Sequence, residues 1–245
     1  MRRLVAVAVL VLAMTVVAAY QATRPERAAG DPRVFVPTAG FFEDFSPSFR
    51  TSIADAYYLY MVQYYGEHIE ADGRLDSMAE LVDLVTQLSP RFIKAYQFGV
   101  FALLDAGEGQ AAYQILQRGI EANPDEWRLP ALAGFLMYRY GQGETKNQVA
   151  ADWYARAAAV PGSPVYLERL AATLTAKGGE REKAQLMWAQ IYADGDKYSR
   201  AKAVTELDAL LSTNPAVRAN ELNAVREAMS LKTFGMLLRD LGIEG

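Results

Sequence analysis

The sequence contains no cysteine and one histidine, His68. Without cysteine there is no disulfide, no thiolate nucleophile, no Cys zinc site and no lipid-bearing Cys. Without a second histidine there is no multi-His metal centre. Neither a GxSxG nucleophile elbow nor a GxxxxGK[ST] phosphate loop occurs. GQGETK (141–146) has the wrong glycine spacing for a phosphate loop and follows no buried strand, so it reads as an interhelical turn. DGDK (194–197) begins like a calcium loop, yet the twelfth position from Asp194 is Thr205 instead of Glu. His68 stands in GEHIEAD beside Glu67, Glu70 and Asp72, where no second His or Cys closes a zinc set, and the stretch reads as a solvated turn. No catalytic residue, metal site or cofactor is expected. An excess of cations is also lacking: residues 31–245 hold 21 basic and 28 acidic side chains. An acidic body is a poor polyanion binder, which excludes nucleic acid as a partner.

What the chain does have begins with LVAVAVLVLAMTVVAAY, residues 4–20, uncharged and preceded by Arg2 and Arg3. At about 1.5 Å per residue a helix there reaches the short end of a membrane span. Two readings stand open. One is a signal peptide cleaved after Ala19, with Val17 and Ala19 at the small-residue positions. The other is an uncleaved signal anchor, which the length of the run favours. Either exports the rest of the chain. The anchor places the protein as a single-pass protein of a bacterial inner membrane, its body in the periplasm or exterior. Residues 21–50 follow as a Pro- and Gly-rich stalk and an aromatic strap, FFEDFSPSF, whose Phe41, Phe42, Phe45 and Phe49 are expected to cap the first helices.

From residue 51 onward large apolar residues recur three or four apart, and strand alternation is almost absent. Turn signals separate the periodic stretches at DGR (72–74), SP (89–90), GEG (107–109), NP (123–124), GQG (141–143), PGSP (161–164) and GG (178–179). Pro90 and Pro124 are separated by one 34-residue interval, a repeat length of paired helices. Within it stand Tyr96, Gly107 at the middle turn, Ala112 opening the second helix, Leu116 and Gly119. Small residues let two antiparallel helices approach, and each Pro restricts the residue before it and ends a helix. Less regular units follow, with Gly134, Met137, Ala150, Tyr154 and Ala157 in the third, and Ala172, Gly179, Ala184 and Trp188 in the fourth. The first, near 54–90, is the most divergent.

This pattern resembles the tetratricopeptide repeat. QYYGEH (63–68), SPRFIKAY (89–96) and NPDEWRLP (123–130) are similar to bacterial membrane-anchored tetratricopeptide proteins. The resemblance implies an all-α fold: a right-handed, tetratricopeptide-like α-solenoid of about four helix pairs over 51–195, closed by capping helices in 196–245 and preceded by the helix of 1–20. It also implies that the first helix of each pair lines a concave groove. Offsets from the prolines then place Tyr58 and Tyr65 of the first unit in the groove. Lys94, Gln97 and Phe101 come from the second, Arg128, Tyr138 and Arg139 from the third, and Tyr166 and Arg169 from the fourth. Two readings stay open for these residues: a groove for acidic or C-terminal segments of protein or peptide partners, or core aromatics with solvated arginines. The expected function is a non-enzymatic, membrane-anchored scaffold for an envelope process such as secretion, pilus assembly or translocation. Its rivals are a periplasmic chaperone-like accessory and a homo-oligomer paired through MSLKTFGMLLRDLG.

Overall fold

The computed structural model describes residues 14–15, 35–45, 47–71 and 73–243. Among the described residues the chain is all-α, with twelve helices and one 3-10 turn. A short entry helix, α1 (Ala39–Phe45), and the 3-10 turn Pro47–Phe49 lead into α2 (Arg50–Ile69). Then follow α3 (Met78–Leu88), α4 (Ile93–Asp105), α5 (Gly109–Ala122), α6 (Arg128–Tyr140), α7 (Lys146–Ala158), α8 (Tyr166–Lys177) and α9 (Arg181–Asp194). Three more close the chain: α10 (Lys197–Leu210), α11 (Pro215–Glu227) and α12 (Leu231–Asp240).

Sequential helices pack as pairs, α2 with α3, α4 with α5, α6 with α7 and α8 with α9, and each pair stacks on the next. The result is a solenoid-like array. Its helices approach closely where the sequence supplies glycine at a crossing. A Cβ on Gly99 of α4 would sit 2.5 Å from Val82 of α3, and one on Gly119 of α5 would sit 2.7 Å from the Tyr96 ring of α4. Gly134 of α6 receives the Tyr154 ring of α7 in the same way, at 3.0 Å. The turns inside the second and fourth pairs are alike. Gly107 (φ 77°) and Gly179 (φ 86°) take the left-handed conformation that ends a helix, which glycine adopts without steric cost. Their neighbours close the motif, Glu108 N–H donating to Leu103 O at 2.8 Å and Glu180 N–H to Thr175 O at 3.2 Å. At the end of the second pair Asn123, itself buried, donates to both Pro90 O and Gly119 O at 2.9 Å, so the end of one 34-residue unit is tied to its start.

The aromatic strap contributes unevenly. Phe42 packs edge-on against Tyr57 of α2, centroids 5.7 Å apart, whereas Phe41 and Phe49 are exposed. The Phe45 side chain lies outside the described residues. At the far end α10, α11 and α12 cover the last pair. Leu237 of α12 is fully buried with Trp188, Ala189 and Tyr192 of α9 and Leu207 of α10. Side-chain caps start each of these three helices: Asp196 accepts from Ser199 N–H at 2.7 Å, Asn214 from Ala216 N–H at 3.0 Å beside Pro215, and Ser230 from Thr233 N–H at 3.1 Å.

One expectation is corrected here. Among the described residues no helix is long and apolar enough to cross a membrane. The longest of them, α2 with 20 residues, reaches the required length but carries Arg50, Asp55, Glu67 and His68. The apolar run at 4–20, with its cleavage site after Ala19, lies outside the described residues apart from Met14 and Thr15, and so does most of the stalk. The signal anchor, the membrane contact through residues 4–20 and the single-pass inner-membrane location are therefore not supported by any described helix.

Candidate functional site

The expected groove residues sit on α2, α4, α6 and α8, the first helices of the four pairs. Ring contacts step from each of these helices to the next. On α2, Tyr58 packs on Phe92 before α4 (4.8 Å between centroids) and on Phe98 of α4 (6.2 Å), and Tyr65 meets Phe98 edge-on at 5.4 Å. Phe101 of α4 meets Phe135 of α6 at 6.4 Å. Tyr138 of α6 lies under the Lys177 ammonium of α8 at 6.0 Å, and the Arg169 guanidinium of α8 covers the Tyr198 ring of α10 at 5.1 Å. A ladder of rings thus crosses the array from α2 to α10.

Its two ends differ in exposure. Tyr58 and Tyr65 are half-buried and are used in packing; the Tyr65 hydroxyl also donates to Asp105 Oδ2 at 2.7 Å. That hydrogen bond, followed by burial, pushes the Tyr65 hydroxyl above its ordinary pKa, because ionisation would set two anions side by side. Further along, Phe101 (41% exposed), Phe135 (39%), Tyr138 (43%), Tyr166 (44%) and Tyr198 (68%) are open to solvent. Behind them Tyr154 of α7 is buried. Desolvation raises its pKa, and the Tyr166 and Tyr138 hydroxyls add to the shift.

The cations of the expected groove do not form one carboxylate-binding cluster. Arg128 is held by Glu126, its Nη1 donating to Oε1 at 2.8 Å and Oε2 at 3.0 Å, while its guanidinium lies over Trp127. Arg169 donates to Ser199 Oγ at 2.7 Å, next to the Asp196 cap, whose carboxyl is lowered in pKa chiefly by its hydrogen bonds from Ser199. Arg139 lies over the neighbouring Tyr140 ring at 5.5 Å. Lys94 is exposed, Gln97 is half-buried, and among the described residues neither Lys94 nor Arg139 joins an ion pair. Arg128 thus finds its acceptor two residues away and Arg169 on another helix, thirty residues on.

Sequence reasoning missed Phe98, Phe135, Lys177 and Tyr198. One signal was available, since Phe101 and Phe135 stand one 34-residue interval apart, as Pro90 and Pro124 do. Tyr198 gave none, because it belongs to α10 outside the repeat. His68 is in the last turn of α2, not in a loop; its Nδ1 is 2.8 Å from Tyr64 O and its ring lies against Tyr64. Among the described residues no group of three His, Asp or Glu could hold a metal ion.

No model of a known protein family matches the chain, and no curated protein matches it. The resemblance to membrane-anchored tetratricopeptide proteins is corrected on that finding and on the lack of a described membrane-spanning helix. What stands is an all-α, solenoid-like packing of helix pairs with an exposed ring ladder across its first helices.

Proposed function

We propose that this chain is a non-enzymatic helical scaffold that binds an extended, acidic segment of a partner protein along the ring ladder. The observation that carries this reading is the run of exposed rings, Phe101, Phe135, Tyr138 and Tyr166 on consecutive first helices and Tyr198 on α10 beyond them. Rigid rings offer large contact area at a low cost in side-chain entropy, which suits recognition of a chain laid across several helices. Lys94, Arg139 and Lys177 lie on the same helices as these rings and supply positive charge on a body whose sequence is acidic overall. A partner carboxylate can therefore form charge-assisted hydrogen bonds while its apolar neighbours rest on the rings.

A displayed library of random peptides about a dozen residues long tests the reading; the length follows from an extended reach of about 3.3 Å per residue. Selected peptides should be enriched in Asp or Glu interleaved with apolar residues. Combining Phe101→Ala with Phe135→Ala should weaken a selected peptide by at least about tenfold, since truncating a ring at the centre of an interface commonly costs more than about 1 kcal/mol. Leu186→Ala, on the exposed side of α9, serves as the control. Equal affinity of the parent and the double variant would remove the ladder as the binding surface.

A further inference from the structure

We infer that the two ends of the helix array are complementary faces through which one copy of this chain docks head to tail on another. The head is the outer side of α2. From Ala56 to Gly66 this helix has no charged residue anywhere on its circumference. Here the inner side packs through Ala54, Met61 and Tyr64, while Leu59 (63% exposed) faces outward, with Val62 and Ile69 partly exposed beside it (37% each).

Gly66 makes the same point independently. Mid-helix glycine costs roughly 0.5–1 kcal/mol relative to alanine. Gly99, Gly119 and Gly134 each have a visible reason, a neighbouring side chain seated where a Cβ would be. A Cβ on Gly66 would meet nothing within 4 Å. Its seat is on the outer side of α2, about two turns beyond Leu59, and is open among the described residues.

The tail repeats this arrangement with the opposite charge. The inner side of α12 is anchored by buried Leu237 and by Tyr192 Oη donating to Asp240 Oδ2 at 2.6 Å. Its outer side presents Leu231, 79% exposed, with Gly235 one turn on, which likewise has nothing within 4 Å of a Cβ. Exposed Lys232 and Arg239 flank them, and among the described residues neither joins an ion pair; Arg239 reaches only Gly235 O of its own helix. Around the head, exposed Asp55, Glu67 and Glu70 also lack ion pairs among the described residues.

Each face therefore combines leucine, an unfilled glycine seat and a rim of one sign. Two heads would oppose three acids to three acids, and two tails would oppose cations to cations. Head against tail pairs the charges and offers each leucine an apolar seat. The contact is heterologous, so the second copy leaves one head and one tail free, and a chain of copies can grow. With 20 residues α2 is about 30 Å long, α12 with 10 residues only about 15 Å, and each is about 10–12 Å wide, so the shared face is well below the roughly 800 Å² per partner of a standard interface. Docking is therefore weak, reversible and concentration-dependent.

The lack of native cysteine provides a clean test on the full chain. Gln63→Cys on α2 and Glu227→Cys at the end of α11 are prepared as separate single variants, both at exposed positions beside the two faces, and treated with a short bis-maleimide. Mixed together they should form a cross-linked dimer, while either alone should not. A dimer from the Gln63→Cys variant alone would mean symmetric α2 pairing and overturns the proposal. The absence of any cross-link up to the solubility limit overturns it as well. Adding Lys232→Glu and Arg239→Glu to the Glu227→Cys chain should lower the yield by at least about tenfold, and Asp55→Lys with Glu67→Lys on the other chain should restore it. An unchanged yield in the charge-reversed chain overturns head-to-tail docking. Unchanged helical signal and melting temperature in all variants keep these outcomes separate from misfolding.

Discussion

A glycine in the last turn of a helix has opposite consequences at two places in this chain, and only the surroundings distinguish them. At Gly119 a methyl group would enter the Tyr96 ring at 2.7 Å, and Tyr96 is fully buried and has nowhere to move. Gly119→Ala should therefore destabilise the protein by about 1–3 kcal/mol despite alanine's better helix propensity. At Gly66 the methyl meets open space, so Gly66→Ala should stabilise the dilute protein by roughly 0.5–1 kcal/mol. Paired denaturant melts at low concentration check both signs. Two substitutions that shift stability in the same direction would show that local packing is not what separates these positions. The 34-residue interval made Gly119 legible as a crossing glycine. Nothing in the sequence marked Gly66 as a different kind, because that depends on which side of α2 meets α3 and α4.

At the scale of elements, α12 is held to α9 by a latch that titrates. Desolvation, with the Asp240 hydrogen bond behind it, pushes the Tyr192 hydroxyl up to about 12. The folded state thus holds the Tyr192 proton where the unfolded chain, with an ordinary tyrosine, has released it. Stability from this group is complete below pH about 10 and is lost as pH rises from about 10 to about 12. The melting temperature should fall across that window, and the fall should be shallower in Tyr192→Phe. Below the window the same substitution should cost about 1 kcal/mol for the lost hydrogen bond. An equally steep fall in Tyr192→Phe would show that the latch does not contribute. The apolar period of 231–241 made α12 legible as an amphipathic helix, but it set Leu231 on the same inward stripe as Leu237, and Leu231 is exposed. The partner of Asp240 was not legible, since Tyr192 lies 48 residues earlier and nothing in the sequence links the two.

Over the whole molecule, stability in a stacked array is close to a sum of units and the contacts between neighbours. Damage at one end should therefore stay local. Leu237→Ala removes a fully buried side chain from the cluster around Trp188, at a cost of about 2–5 kcal/mol. Amide exchange should accelerate in α9 to α12. The amides of α3 to α5, whose core of Val82, Tyr96, Leu103 and Leu116 shares no residue with that cluster, should keep the parent's protection. Uniform acceleration along the chain would indicate a single cooperative unit.

The sequence alone determined that the described body is helical, where its turns fall and which small residues mark the crossings. Those properties follow from local periods, from prolines and from glycines, all of which act within a few residues. It also carried the interval that aligns Phe101 with Phe135. Tertiary structure decided the rest. Tyr58 and Tyr65 pack because α4 brings Phe98 against them, and Arg128 and Arg169 hydrogen-bond Glu126 and Ser199. The outer sides of α2 and α12 became open faces because their inner sides were chosen by neighbours distant in sequence. A short-range pattern fixes which residues share a face of a helix. Which face is turned to solvent is settled only when the helices pack, since burial depends on contacts the local sequence does not encode.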